Sequence, residues 1–365
     1  MLRPKPAVEK IAPGIHGGID YSELRQLGIS PESVLDFSVN TNPFGPPPGV
    51  AEALRSASIE RYPDSEAAEL KEMLAGKLNI SPDNLLIGSG STELIRLVAI
   101  AYFGAEDLVL IPQPIYGEYE VACQLVGAQV LKQPVPEETN FKLNVAETVD
   151  LIRRRQPRGI FLCHPNNPTG QYLSWEAVSK ILAAASNCLV ILDEAYISFT
   201  ENAWTPLDLI GGGNLVILRS MTKDYALAGL RLGYAVAAGP IISVLKRVRP
   251  PWNVSSVAQK AGIAALAADA YLMECEKKIR EAKEFLMREL MSLGFSPLPS
   301  PTNFFLVKVG HAVRFRQALL QKGILVRDCA SFGLPDYVRL SPRTMPECRR
   351  LIAAVKESQD FKLKK

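Results

Sequence analysis

Four short segments of the chain carry residues that could take part in catalysis, and most of them follow a run of apolar residues. The segment SMTKDYALAGLRLGY contains Lys223, and the segment DEAY contains Asp193. The segments GSGST (88–92) and NNPTG (166–170) supply hydroxyl, amide and backbone N–H groups. Each segment alone has an ordinary structural explanation, as a turn, a helix cap or a solvated strand end. Together they offer an amine, a carboxylate and an anion-binding loop.

This combination suits the chemistry of pyridoxal 5′-phosphate (PLP). The cofactor aldehyde needs an amine with which to form an imine, and Lys223 lies on a turn flanked by Ser and Thr after an apolar strand. The pyridine nitrogen needs a carboxylate, which Asp193 can supply, because the protonated ring is the electron sink. The phosphate needs backbone N–H groups at a helix start, hydroxyl groups and a cation. These groups are present in Gly90, Ser91, Thr92, Ser220, Thr222 and Arg231.

The elements that must position these groups alternate between apolar strands and helices from about residue 85 to residue 240. Runs such as GIFLCHPN and CLVILDEAY are apolar on both faces, which is typical of strands buried between helices. We therefore predict an α/β fold in which a large PLP-binding domain holds a mostly parallel mixed sheet between helices, with the four segments at strand ends. A smaller α+β domain follows. The predicted parts are an N-terminal arm (1–48) that packs with the small domain, the large domain (49–250), and connecting helices with the small domain (251–365).

Composition argues against several other kinds of protein. The 41 Lys and Arg residues outnumber the 38 Asp and Glu residues only slightly, and the charges are dispersed, so we expect no nucleic-acid partner. The three histidines lack metal-ligand spacing, so no metal site is expected. The six cysteines form no C-x-x-C pair and are expected to be buried free thiols. No apolar stretch suits a signal peptide or a membrane span, so we expect a cytoplasmic protein without a membrane partner. The basic tail (Lys362, Lys364 and Lys365) is expected to be solvated.

In the order of its NNPTG, D-E-A-Y, S-x-T-K and G-L-R-x-G-Y elements, the sequence resembles the fold type I PLP superfamily, the aspartate aminotransferase-like enzymes, over nearly its whole length. The resemblance implies that Lys223 is the Schiff-base lysine and proton shuttle and that Asp193 pairs with the pyridinium. It implies that Asn167 and Tyr196 hydrogen-bond the phenolic oxygen of the ring, on which Tyr116 stacks.

The resemblance also implies roles for residues outside the four segments. Arg339, in YVRLS, matches the arginine that clamps the substrate carboxylate through two hydrogen bonds. Tyr62, in RYPD, matches a tyrosine that reaches the cofactor phosphate of the partner subunit, which would make the protein a homodimer with shared active sites.

Two branches of the superfamily fit the sequence, and both handle phosphorylated amines: histidinol-phosphate aminotransferases and the L-threonine-O-3-phosphate decarboxylases of cobalamin biosynthesis. The opening that begins at His16-Gly17-Gly18, Trp252 in PPWNVSS, Cys329 and the pair Arg339 and Arg343 are more similar to the decarboxylases. Ile19 departs from them, since a polar Asn is common at that place. We therefore expect decarboxylation of L-threonine O-3-phosphate to a phosphorylated aminopropanol, with aminotransfer from histidinol phosphate as the alternative.

A substrate with two anionic groups would need cationic partners, which the arginines of the small domain could provide. The residues expected to bind it are His16, Arg327, Arg339 and Arg343. A non-catalytic protein that keeps this fold is a weaker alternative, because the set of Lys223, Asp193, Asn167 and Tyr196 is intact. A nucleotide-binding protein is disfavoured too, because GSGST lacks the lysine and the glycine spacing of the known phosphate loops.

Overall fold

The computed structural model describes residues 2–9, 11 and 14–358, so the predicted basic tail (Lys362, Lys364 and Lys365) lies outside the described residues. The strands are β1 (Leu35–Asp36), β2 (Leu85–Gly88), β3 (Leu108–Gln113), β4 (Gln129–Pro134), β5 (Gly159–Cys163), β6 (Leu189–Asp193), β7 (Leu215–Ser220), β8 (Gly233–Ala237), β9 (Ser296–Pro297), β10 (Phe305–Lys308), β11 (Ile324–Leu325), β12 (Arg327–Asp328) and β13 (Tyr337–Leu340). The helices are α1 (Pro6–Glu9), α2 (Tyr21–Leu27), α3 (Val50–Arg55), α4 (Ala68–Leu78), α5 (Ser91–Tyr102), α6 (Glu118–Leu125), α7 (Val145–Arg155), α8 (Trp175–Ala184), α9 (Gly239–Val248), α10 (Ser256–Leu266), α11 (Asp269–Ser292), α12 (Ala312–Leu320) and α13 (Met345–Glu357).

The large domain is built on a seven-stranded sheet with the strand order β2-β8-β7-β6-β5-β3-β4. The strands β3 to β7 are parallel to their neighbours in this set, and β8 runs antiparallel to both β2 and β7. Parallel strands need helical crossovers, which cover the sheet on both faces. This arrangement confirms the predicted α/β fold with a mostly parallel mixed sheet.

The alternation of side chains along each strand divides the interior of the large domain into two cores. In β6, Val190 and Leu192 pack into the core that α4, α7, α8 and α10 cover, whereas Leu189 and Ile191 pack into the core under α5, α6 and α9. All five residues of β6 are buried, as are all five of β5. Burial of both faces of the sheet therefore explains the near-continuous apolar runs in the sequence.

The small domain is built on an antiparallel sheet with the order β12-β13-β10-β9. Its core, which includes Phe305 and Phe315, is closed by α11, α12 and α13. The N-terminal arm contacts this domain, because β1 pairs in parallel with β11 and Leu24 packs near Leu320. Helix α10 packs into the core of the large domain, although the sequence analysis grouped it with the C-terminal part.

The topology brings the predicted chemical segments to one edge of the large sheet. The strands β5, β6 and β7 are adjacent and parallel, so the NNPTG segment, Asp193 and the turn that carries Lys223 all follow the same edge. The N-terminus of α5 reaches this edge as well, because β2 runs antiparallel to β8. A ligand site at the carboxyl ends of parallel strands is the expected position in such a sheet.

Candidate active site

A cavity of about 1190 Å³ lies between the sheet edge, the N-terminal arm and the small domain. Its wall contains Lys223 and Arg231 from the large domain, Arg327 and Arg339 from the small domain, and His16 from the arm. The structure therefore brings together residues that are far apart in the sequence and that the sequence analysis assigned to cofactor and substrate.

Lys223 lies on the turn after β7, where the N-terminal arm fixes its backbone. The backbone N–H of Asn42 donates a hydrogen bond to the Lys223 carbonyl at 2.8 Å. Burial, together with the charges of Arg339 and Arg231, lowers the pKa of the Lys223 amine to about 8. In the described ranges Lys223 forms no ion pair within 4.0 Å. A lysine with a lowered pKa holds more of its amine in the nucleophilic form at neutral pH.

Asp193 is buried at the end of β6, with a hydrogen-bond donor on each oxygen. The hydroxyl of Tyr119 donates to Oδ2 at 2.8 Å, and the backbone N–H of Ala195 donates to Oδ1 at 3.0 Å. Burial raises the pKa of Asp193 to about 6, while these two donors favour the ionised carboxylate. The carboxylate therefore lacks a full counter-charge and suits a cationic ring nitrogen.

Tyr119 is a functional residue that the sequence analysis missed. Its ring stacks on Phe161 with the centroids 4.9 Å apart, and in the sequence it is typical of a core aromatic. The one available signal is its place three residues after Tyr116, whose ring contacts that of Tyr119 edge to face with the centroids 5.6 Å apart. Tyr116 itself precedes α6 and lines the cavity, and burial raises its pKa.

The N-terminus of α5 forms the predicted anion-binding loop. Gly90 precedes the helix with φ 78°, a conformation that favours glycine, and a Cβ there would lie 2.8 Å from Nη2 of Arg231. The guanidinium therefore sits against the helix start, where free N–H groups and the helix dipole attract anions. Thr92 lines the cavity, and its hydroxyl lies 3.5 Å from that of Tyr116. Ser91, the first residue of the helix, supplies one of those N–H groups.

The hydroxyl groups of Ser220 and Thr222 are partners of each other at 2.7 Å. Neither residue is among those that line the cavity, so their assignment as phosphate ligands stays a prediction.

Asn167 and Tyr196 line the cavity together with Arg327 and Arg339. The Oδ1 atom of Asn167 accepts a hydrogen bond from Nη1 of Arg339 at 2.5 Å. Burial raises the pKa of the Tyr196 hydroxyl well above its ordinary value. Their predicted contacts with the phenolic oxygen of the cofactor stay predictions.

Arg339 and Arg327 are cross-strand neighbours in β13 and β12, and both side chains are buried. Nη2 of Arg339 donates to the Ser38 carbonyl at 2.6 Å, whereas its Nε has no hydrogen-bond partner within the described residues. Nη2 of Arg327 donates to the Ile15 carbonyl at 2.7 Å. Two buried guanidinium groups on one wall provide positions for two anionic groups of a ligand.

Arg343 and Tyr62 are also absent from the lining of this cavity. Arg343 donates to the Asp36 carbonyl at 3.2 Å and pairs with Glu347 at 3.0 Å at the start of α13. Its role in substrate binding stays a prediction. Tyr62 is 78% exposed and stacks on Trp252 with the centroids 4.4 Å apart, and its contact with a partner subunit stays a prediction.

Several predictions from composition can be compared with the described part of the chain. All six cysteines are buried and free. No group of three or more His, Cys, Asp or Glu side chains in the described ranges could hold a metal ion. Among the same residues, no helix combines the length and the apolar character needed to cross a membrane.

The fold is that of the PLP-dependent aminotransferase family, and the model of the family "Aminotransferase class I and II" matches residues 32–355. The chain belongs to this family. It is 36% identical over 362 residues to the histidinol-phosphate aminotransferase of Moorella thermoacetica, which covers 97% of this chain and 92% of that protein.

Solved structures agree with this assignment. The histidinol-phosphate aminotransferase of Sinorhizobium meliloti in complex with pyridoxal 5′-phosphate matches with a TM-score of 0.88 and 27% identity, over 98% of this chain and 97% of that one. The L-threonine-O-3-phosphate decarboxylase of Porphyromonas gingivalis matches with a TM-score of 0.77 and 27% identity, over 88% and 98% of the two chains.

The cofactor is PLP, and the residues of the cavity fit it. Lys223 offers a buried amine without an acidic partner, Asp193 offers a carboxylate that lacks a counter-charge, and Arg231 with the start of α5 offers an anion cradle. These are the groups that the aldehyde, the ring nitrogen and the phosphate of the cofactor require.

Replacement of Tyr119 by Phe tests the support of Asp193. The change removes one charge-assisted hydrogen bond, so we expect the dissociation constant of PLP to rise by about tenfold. Fluorescence titration of the cofactor-free protein measures it. The exposed Tyr21→Phe is the control, and unchanged affinity in Tyr119→Phe would show that Tyr119 only fills space.

Replacement of Asp193 by Asn tests how much the buried carboxylate lowers the free energy of unfolding. The folded-state pKa of Asp193 is raised from 3.8 to about 6, so the fold favours the protonated carboxyl group at low pH, and this stabilisation is lost as the pH rises through this window and the group ionises. At pH 7 the cofactor-free Asp193→Asn protein should gain about 1 to 3 kcal/mol in free energy of unfolding. Urea denaturation at pH 4 and pH 7 measures the effect, and a loss of stability at pH 7 would contradict it.

Proposed function

We propose that the protein transfers an amino group from a small phosphorylated amine, histidinol phosphate, to a 2-oxo acid. The observation that carries the proposal is the pair of buried arginines, Arg327 and Arg339, that line the same cavity as Lys223. One can bind the substrate phosphate and the other the carboxylate of the oxo acid. The relatives also favour this reaction, which was the alternative in the sequence analysis, over the decarboxylation expected first.

The residues of the cavity divide the work of the reaction. PLP, when bound, withdraws electrons from the substrate α-carbon into its ring. Asp193 holds the proton on the ring nitrogen, and Lys223 is the base and acid that moves the proton at the α-carbon. Arg339 orients the carboxylate of the oxo acid, and the wall formed by the arm and the small domain excludes water.

A second candidate is the decarboxylation of L-threonine O-3-phosphate, and one observation favours it. The N-terminal segment HGG, on which the resemblance to the decarboxylases rests, contacts the cavity: His16 lines it, and the preceding Ile15 bonds to Arg327. Both reactions use the same cofactor site. They differ in which bond of the α-carbon stands perpendicular to the ring.

A product assay separates the two reactions. With histidinol phosphate and 2-oxoglutarate we expect glutamate to form, and with L-threonine O-3-phosphate alone we expect no carbon dioxide. Arg339→Lys should lower kcat/KM for the oxo acid by about one to two orders of magnitude, because it loses a two-bond contact with the carboxylate. Arg314→Lys, at an exposed position of α12 outside the cavity lining, is the control. Release of carbon dioxide without glutamate formation would replace this function by the second candidate.

We further propose that the protein is a homodimer in which Tyr62 of one chain completes the phosphate site of the other. The support is the exposed stack of Tyr62 on Trp252, of which 78% and 47% are accessible in the single chain. Aromatic residues exposed to this extent are typical of interfaces.

Hybrid dimers test the shared site. A dimer of one Lys223→Ala chain and one Tyr62→Ala chain contains one site with neither change, so mixing the two inactive variants should restore a fraction of the activity. Sedimentation should show the dimer. Verified hybrids without activity, or an active monomer, would contradict the proposal.

A further inference from the structure

A short segment of the N-terminal arm, residues 14–18, links the two domains along the cavity wall; we call it the strap. On the side of the small domain, the carbonyl of Ile15 accepts a hydrogen bond from Nη2 of Arg327 at 2.7 Å. On the side of the large domain, Nε2 of His16 lies 3.1 Å from Oε1 of Glu118. The backbone N–H of Gly18 donates to Oγ of Ser38 at 2.8 Å. The strap is therefore held from both sides of the site.

Glu118 is an unusual residue at this place. It begins α6 and lines the cavity, and its side chain is only 7% exposed although the same cavity contains guanidinium groups suited to anionic ligands. A buried carboxylate is costly unless it is paired. Its partners are His16 on Oε1 and Arg96 on Oε2 at 3.4 Å, and both partner side chains are 50% exposed. The carboxylate thus depends on the strap for one of its two partners.

The strap fits its surroundings without room for additional side chains. A Cβ at Gly14 would lie 2.7 Å from Oε1 of Glu118, and a Cβ at Gly17 would lie 2.6 Å from the carbonyl oxygen of Ser38. Two glycines in this segment therefore allow the backbone to approach both walls closely.

We propose that Glu118 is a positioning residue that fastens the strap through His16 and thereby selects phosphorylated substrates. The Nε2–H of His16 donates to the carboxylate, which sets the orientation of the ring. The charged and titratable groups around the ring are Glu118, Arg96 and, at 5.9 Å between centroids, Tyr116. Fastening the strap keeps His16 and Arg327 on one wall, and an anionic group of the substrate needs both.

This selectivity rests on the proposed function, because it concerns the phosphorylated amine, whereas the fastening of the strap does not. Two measurements on the PLP-loaded protein separate the two claims. Hydrogen exchange of the backbone amides of residues 14–18 reports the strap without any substrate. Steady-state kinetics with histidinol phosphate and with histidinol report selectivity.

Glu118→Ala should speed the exchange of the strap amides by about tenfold, as expected for the loss of one charge-assisted hydrogen bond. The KM for histidinol phosphate should rise by a similar factor with kcat within about twofold, while the KM for histidinol stays unchanged. Glu118→Gln, which keeps a hydrogen-bonding oxygen, should give a smaller effect. His16→Gln removes the same contact from the other side and serves if Glu118→Ala does not fold.

The matched control is Glu120→Gln, two residues further along α6. Its carboxylate also lines the cavity but pairs with Lys132 at 2.9 Å and not with the strap. Unchanged exchange at residues 14–18 in Glu118→Ala and His16→Gln would overturn the fastening. Faster exchange with an equal rise of KM for both substrates would overturn the selectivity. If neither substrate is turned over by the unchanged protein, the proposed function fails and the exchange result still decides the fastening.

Discussion

The rest of the site depends on two opposite charges that are buried at the same sheet edge without being paired to each other. Lys223 and Asp193 lie at or just after the ends of neighbouring parallel strands. Burial lowers the pKa of Lys223 and raises the pKa of Asp193, so it favours the neutral form of each group. A direct ion pair would have relieved both costs. In this fold each group stays available to a ligand that is complementary to both. The two buried, unpaired groups therefore lower the stability of the cofactor-free protein at its candidate active site.

The neighbours of these two groups make this arrangement possible. Tyr119 and the backbone N–H of Ala195 hold the carboxylate of Asp193 in one orientation, while Asn42 holds the backbone of the lysine turn. The positive charge of Arg339 contributes to the lowered pKa of Lys223, although Arg339 belongs to the small domain. The pKa of the Lys223 amine therefore depends on the approach of the small domain to the large domain.

Much of the fold could be predicted from the sequence, because β5 and β6 are apolar on both faces and are bounded by turn residues. The cofactor segments could be found too, since each lies at the end of such a strand. The contact of Tyr119 with Asp193 could not be predicted, because the two residues are 74 positions apart in the sequence and only the folded chain brings them together. The contact of Arg343 with Glu347, four residues later at the start of α13, was not predicted either, because no motif in the sequence indicates it.

The antiparallel pairing of β12 with β13 limits how Arg327 and Arg339 can move relative to each other. Because Arg327 and Arg339 are directly opposite each other in the register, the backbone fixes the separation of their Cα atoms. A ligand that engages both guanidinium groups is held by one sheet of the small domain. Any movement of this sheet relative to the large domain would therefore displace both groups together.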